Sequence, residues 1–122
     1  MATLKTESRR LISSDDVQGT DVYNTQGEKL GSVDCVMIDK QKGNVAYAVM
    51  AFGGFLGMGE QRHPLPWSSL SYDTNKDAYV VRLSKEQLTS APNLDRGKYD
   101  RLGQREYDES VYAHYRANPY WL

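Results

Sequence analysis

The chain has 122 residues and a net charge of −1, and 25% of its residues are charged. A chain of this length folds as one domain and buries enough apolar surface to form a core without cross-links. The near-neutral balance excludes the broad basic face with which nucleic-acid-binding proteins neutralise phosphates, so we expect no nucleic-acid partner.

Residues 1–10 are polar and charged and lack the apolar centre of a secretory signal, so we expect a disordered N-terminal arm. The longest nearly apolar run, residues 45–58, is interrupted by glycines and is shorter than the ~20 apolar residues that cross a bilayer. We therefore expect no insertion into a membrane. The single cysteine, Cys35, excludes an internal disulfide and suits a reducing compartment, which predicts a cytoplasmic protein.

Residues 21–83 consist of short runs of strand-forming residues separated by turn signals, a pattern typical of all-β folds. Short strands and a bend at Gly31 favour curvature and closure over a flat sheet. The predicted fold class is mainly β: a small closed or nearly closed antiparallel β-barrel of about six strands, followed by short C-terminal helices. The predicted strands are residues 21–24, 30–39, 45–52, 60–67, 70–72 and 78–83.

The alternation of side chains within these strands predicts the core. In the second strand, Leu30, Val36 and Ile38 have one parity and the apolar residues at 33, 35 and 37 have the other. Both faces of this strand are therefore expected to be partly buried. The residues expected to be mainly buried are Val36, Ile38, Val49, Trp67 and Val81.

The glycine-rich segment GGFLGMG at residues 53–59 is a candidate contact surface. A phosphate-binding glycine loop would have to open a helix, whereas this segment leads into a proline-bearing strand, so no nucleotide is expected. Phe55 and Leu56 either pack in the core at a barrel corner or, together with Met58, form an exposed patch that binds a partner.

The sequence provides no clear set of catalytic or metal-binding residues. His63 and His114 lie in different segments, and a zinc site would need three or four ligands with close-spaced pairs. Cys35 lies in the middle of a strand, where a buried and inert thiol is usual. We therefore expect no catalytic residue, metal or cofactor. The alternative is an enzyme or small-ligand binder that uses Arg62, His63 and the glycine-rich segment.

The pattern changes at Ser84, where the predicted barrel ends. Ser84 and Gln87 have the spacing of a capping box, which predicts a short helix that Pro92 terminates. We therefore predict a barrel domain over residues 11–92 and a tyrosine-rich C-terminal extension over residues 93–122.

The C-terminal extension carries a dense set of aromatic side chains. Tyr107, Val111 and Tyr115 recur at helical spacing, which predicts a short amphipathic helix that ends before Pro119. Aromatic rings at this density must be covered, either by the chain's own barrel or by a second protein chain. The residues of this segment that are candidates for binding a partner are Tyr107, Tyr112, Tyr115, Tyr120 and Trp121.

Segments spread in order over residues 11–92 resemble the PRC-barrel family. Their number and order make the resemblance far more specific than one short motif. The segments are VQGTDVY at 17–23, GEKLG at 27–31, VMID at 36–39, GNVAYAV at 43–49, GGFLGMGE at 53–60, LPWSSL at 65–70, KEQL at 85–88 and AP at 91–92.

The resemblance implies a small β-barrel like that of the photosynthetic reaction centre H subunit and of a bacterial ribosome maturation factor. The best-understood members of this family use the barrel to contact other macromolecules, which implies a non-enzymatic protein-binding, adaptor or assembly module in a bacterial protein. Alternatives implied by the same resemblance are a role in a photosynthetic electron-transfer complex or in ribosome and RNA maturation. The partner is expected to be another protein or a second copy of the chain, with a homodimer favoured.

Overall fold

The structure is a computed structural model that describes residues 10–52, 61–94 and 99–122. The predicted residues Phe55, Leu56 and Met58 lie outside the described residues. The strands of the described residues are β1 (Asp21–Asn24), β2 (Lys29–Ile38), β3 (Val45–Phe52), β4 (Gln61–Pro66), β5 (Leu70–Asp73) and β6 (Ala78–Val81). The helices are α1 (Ser14–Val17), α2 (Lys85–Thr89) and α3 (Arg105–Tyr115), and a 3₁₀ turn (Trp67–Ser69) joins β4 to β5.

The six strands form one sheet in the order β4-β3-β2-β1-β6-β5. Its two edge strands, β4 and β5, are joined by only a three-residue turn, so the sheet has to curve until its edges approach each other. The result is a half-barrel, which confirms the predicted mainly β, barrel-like fold with short helices.

One strand pair departs from the antiparallel pattern, because β1 and β6 run parallel. The 3₁₀ turn between β4 and β5 explains this difference. All other neighbouring strands in the sheet are antiparallel. With β1 and β6 parallel, these pairings make β4 and β5 run in the same direction. Since the turn continues the chain without reversing it, the following hairpin returns β6 parallel to β1.

A β-bulge in β2 changes which side chains face the interior. Val33 pairs with Met50 and Cys35 pairs with Val49, which leaves Asp34 as an extra residue on β2. The extra residue shifts the alternation by one position. As a result, the side chains at positions 33 and 36 both contact the barrel core.

A second irregularity lies at the end of β2, where Met37 pairs with Tyr47 and Ile38 pairs with Val45. After this shift Ile38 lies at the end of the strand and is 54% exposed. The prediction that Ile38 is buried was wrong, because parity counting assumes an unbroken two-residue repeat.

The other core predictions agree with the structure to different degrees. Val49 and Val81 are fully buried, as predicted. Val36 and Trp67 are partly buried and pack against the core from its margin. The members of the barrel core are Val17, Val22, Leu30, Val33, Ala48, Met50, Leu65, Tyr79, Val81 and Leu88.

Helix α2 follows the predicted capping signal. The Ser84 hydroxyl accepts a hydrogen bond from the Gln87 amide at 3.1 Å, and the Gln87 side chain accepts one from the Ser84 amide at 2.8 Å. This capping box starts α2 at Lys85. Helix α3 ends at Tyr115, and Arg116 follows with a left-handed backbone.

The C-terminal extension packs against the outer face of β3 and forms a second core there. Ala46 and Tyr47 of β3 contribute to this core from the sheet. The residues that cover them are Leu94, Tyr107, Val111 and Tyr112. Strand β3 is therefore covered on both faces, which explains its nearly continuous burial.

Gly31 is required by the close approach of β2 to β3. A Cβ atom at this position would lie 1.9 Å from the backbone oxygen of Ala51, which the strand pairing holds in place.

We expect Gly31→Ala to lower the free energy of unfolding by about 2 kcal/mol or more, measured by urea denaturation. The neighbouring Ser32→Ala variant, which adds no atoms, should remain close to wild type. Equal stability of both variants would contradict the close approach.

Candidate functional site

A groove of about 530 Å³ lies between the β2–β3 turn and the C-terminal end of the chain. Met37 and Ile38 form one side, and Asp39 and Lys40 lie at the turn. Tyr47, Tyr120 and Trp121 also line it. We call this concavity the hairpin groove. It combines residues of the barrel with residues of the C-terminal extension.

A buried carboxylate joins these two parts of the groove. Asp108 of α3 is only 1% exposed. One oxygen, Oδ1, accepts hydrogen bonds from the Tyr47 hydroxyl at 2.8 Å and from the Gly103 amide at 3.0 Å. The other, Oδ2, accepts one from the Tyr120 hydroxyl at 2.5 Å. A carboxylate can be buried here because three donors replace the water that it loses.

The two phenols stay protonated over the whole physiological range. Burial raises the pKa of Tyr47 most, and the hydrogen bond to the Asp108 carboxylate raises it further. Burial and the same carboxylate also raise the pKa of Tyr120, with Asp39 adding a smaller contribution. Both hydroxyls therefore remain donors, which the carboxylate between them requires.

Aromatic contacts extend this arrangement to the end of the chain. The Tyr112 hydroxyl donates a hydrogen bond to the backbone oxygen of Ala46 at 2.6 Å. Its ring meets those of Tyr47 and Trp121 edge to face, with centroids 5.4 Å and 5.3 Å apart. The Arg105 guanidinium lies over the Trp121 ring at 4.9 Å. Edge-to-face pairs of this kind each contribute about 0.5–1.5 kcal/mol, so the wall of the groove is held firmly.

The aromatic residues predicted to bind a partner divide into three groups. Tyr107 and Tyr112 are buried against the chain's own sheet, so the structure places them in the interior and not at a contact surface. Tyr115 is half-buried and packs between the two cores. Tyr120 and Trp121 are partly exposed and line the hairpin groove, where a partner-binding role stays a prediction.

Sequence reasoning missed Asp108, Tyr47 and Ile38 as members of the site. A signal for Asp108 was present, since positions 107, 108, 111 and 112 share one face of a helix. A carboxylate on the apolar face of a helix needs buried donors. The exposure of Ile38 had no comparable signal in the sequence.

Arg62 and His63, the basis of the alternative function, do not converge on one site. They are adjacent in β4, so their side chains point to opposite faces. Arg62 is buried with its Nε atom 3.7 Å from the Asp34 carboxylate, which also accepts a hydrogen bond from Tyr99 at 2.5 Å. Burial and this contact with Asp34 raise the pKa of Tyr99 to about 12.

His63 is fully buried inside the barrel. Its Nε2 atom lies 3.0 Å from the Gln61 side-chain oxygen, and its ring meets Phe52 edge to face. Burial lowers the pKa of the imidazole, so the ring is neutral at neutral pH.

The thiol of Cys35 is also poorly suited to act as a nucleophile. Burial and then the Asp34 carboxylate raise the pKa of its thiol. The thiol is therefore protonated at neutral pH, and the thiolate is the form that reacts.

In residues 10–52, 61–94 and 99–122, no three His, Cys, Asp or Glu side chains are grouped so that they could hold a metal ion. In the same residues, no helix has the length and apolar character needed to cross a bilayer.

A family model described as the PRC-barrel domain matches residues 10–88, which include α1, the six strands and most of α2. Helix α3 and the aromatic end of the chain lie outside the match. No curated protein matches the chain.

The hydrogen bond from Tyr47 to Asp108 can be tested with a single hydroxyl. Tyr47→Phe removes one of the three donors to a buried carboxylate, and we expect the free energy of unfolding to fall by about 1–3 kcal/mol in urea denaturation. The matched control is Tyr115→Phe. Its hydroxyl is buried without a hydrogen-bond partner, so its loss should not destabilise the fold. An equal loss in both variants would contradict a special role for Asp108.

The buried His63 predicts a pH dependence of stability. Its pKa in the folded chain is lower than the ordinary value of 6.5, so the unfolded chain binds more protons below pH 6.5. Stability should therefore be complete above pH 6.5 and decrease as the pH falls towards the lowered pKa. Thermal unfolding of His63→Gln should show a smaller decrease than wild type. Identical slopes would contradict a neutral buried imidazole.

Proposed function

The chain belongs to the PRC-barrel domain family, and from this premise we propose that it is a non-enzymatic protein-binding module that pairs with a second copy of itself through the hairpin groove. The observation that carries the proposal is the exposure of Ile38 beside the aromatic end of the chain. Its neighbours in β2 are at least partly covered, whereas Ile38 is open to solvent.

The exposed apolar surface at this groove is formed by β2 together with the C-terminal end of the chain. Leu122 is 85% exposed, and the Lys42 ammonium donates a hydrogen bond to its backbone oxygen at 2.7 Å. This contact brings the end of the chain to the β2–β3 turn. Tyr120 and Trp121 add partly exposed rings, and such rings bind partners at a low cost in side-chain entropy. Apolar residues grouped in this way favour a protein contact.

The charges at the groove favour a second copy as the partner. Asp39 and Lys40 carry opposite charges at adjacent positions on the turn that lines it. In a twofold contact the same patch meets itself, so it must be self-complementary. Adjacent opposite charges meet this requirement, because Asp39 of each copy can face Lys40 of the other.

A non-enzymatic role is supported by the surroundings of the candidate reactive groups. Arg62 and His63 point to opposite faces of β4, and the Cys35 thiol is held in its protonated form. Arg62 and His63 therefore do not face a common substrate in this arrangement.

Sedimentation velocity tests the proposal. We expect the full chain to form a dimer and Ile38→Asp to weaken the dimer tenfold or more, because a charge at the groove has to be desolvated on pairing. The thermal midpoint of the monomer should change little, since Ile38 is exposed. Leu11→Asp is the matched control, because Leu11 is 84% exposed and does not line the groove.

Two outcomes would contradict this proposal. A wild-type chain that stays monomeric at the highest soluble concentration excludes self-pairing and leaves only a different protein as partner. A dimer that Ile38→Asp does not weaken places the contact outside the hairpin groove.

A further inference from the structure

A second concavity, of about 520 Å³, surrounds Arg82 just beyond the end of β6. It adjoins another of about 500 Å³, and the two share Thr25, Arg82 and Leu83. We call the combined surface the Arg82 basin. It does not share any lining residue with the hairpin groove, and the proposed dimer does not use it.

The strand register places hydroxyl groups on both sides of Arg82. Val81 pairs with Asn24 in the parallel direction, so the next residues, Thr25 and Arg82, lie side by side. Val81 also pairs with Leu70 in the antiparallel direction, which places Ser69 on the other side of Arg82. The remaining residues of the basin with a hydroxyl group are Ser68, Ser71, Ser84 and Tyr115.

The electrostatics of the basin favour an anion. Arg82 is exposed, and none of the hydrogen bonds or ion pairs among the described residues involves its guanidinium. Asp and Glu are absent from the described lining of the basin. In contrast, the hairpin groove contains Asp39, and a third concavity contains Asp16, Asp21 and Asp77. The positive charge of Arg82 is therefore not neutralised by its own surroundings.

Some hydroxyl groups of the basin are available as donors, whereas the hydroxyl of Ser69 already donates within the protein. Ser69 donates its hydroxyl to the backbone oxygen of Pro66 at 2.6 Å. The hydroxyls of Thr25 and Ser71 make no hydrogen bond to any described residue, and both residues are exposed. The guanidinium offers several N–H donors in one plane, and the hydroxyls beside it can rotate to direct their O–H donors. A tetrahedral oxyanion accepts hydrogen bonds from both the N–H and the O–H groups.

We propose that the Arg82 basin binds the phosphate group of a small phosphate monoester. Arg82 donates two hydrogen bonds to two of the phosphate oxygens, and Thr25 and Ser71 donate to the oxygens on either side. The basin is larger than a phosphate group alone, and its size is within the range of about 300–1,000 Å³ for small-molecule sites. The remaining space, towards Gln26 and Gln87, takes the organic part of the ligand.

The test is a titration of the full chain with each of two probes, inorganic phosphate and glycerol 3-phosphate. Binding is monitored through the amide chemical shifts in NMR spectra. Ionic strength is held constant at a physiological value, because salt screens exposed charges. We expect saturable shifts centred on Thr25, Ser71 and Arg82, with the monoester binding more tightly than phosphate. Equal affinities would overturn the assignment of the basin to a monoester.

Variants separate a specific site from general attraction to positive charge. Arg82→Gln should weaken binding of both probes tenfold or more, with an unchanged thermal midpoint because Arg82 is exposed. Arg101→Gln is the matched control, since Arg101 is an exposed arginine stacked on Tyr107 in another part of the chain, and it should bind as wild type does. Shifts that do not saturate, or equal losses in both variants, would overturn the proposal.

Discussion

The C-terminal third of the structure depends on the hydrogen bonds that the buried carboxylate of Asp108 accepts. It receives hydrogen bonds from strand β3, from the loop before α3 and from the end of the chain, through Tyr47, Gly103 and Tyr120. Each of these donors is satisfied only while the others hold the carboxylate in position, so the three segments dock together. A buried charge with a missing donor is costly, which makes this arrangement cooperative.

The barrel supplies the fixed surface on which this docking occurs. Because β4 continues into β5 without reversing, the sheet curves. Strand β3 lies between β4 and β2, with one face towards the barrel core. The other face of β3 would expose Tyr47 and Ala46 if the C-terminal extension did not cover it. The extension is therefore part of the fold of this chain, although the PRC-barrel match ends before it.

The two proposed surfaces differ in chemistry because they arise from different parts of this architecture. The hairpin groove forms where the extension meets the end of β2, and the bulges of that region leave Ile38 exposed there. The Arg82 basin forms where β1 and β6 end and β5 begins, and its polar character follows from the hydroxyl residues that flank Arg82. An apolar groove suits a protein surface, and a hydroxyl-lined basin with one cation suits a small anion.

The sequence by itself determined the strands, the capped helix at Ser84 and the family, because periodicity, capping and ordered motifs are local signals. It also indicated that the aromatic tail had to be covered, but it left open by what. Only the tertiary structure decided that Tyr107 and Tyr112 cover β3, that Ile38 is exposed and that Asp108 is buried among donors. These outcomes depend on bulges and on contacts between residues about sixty positions apart, which no local pattern encodes.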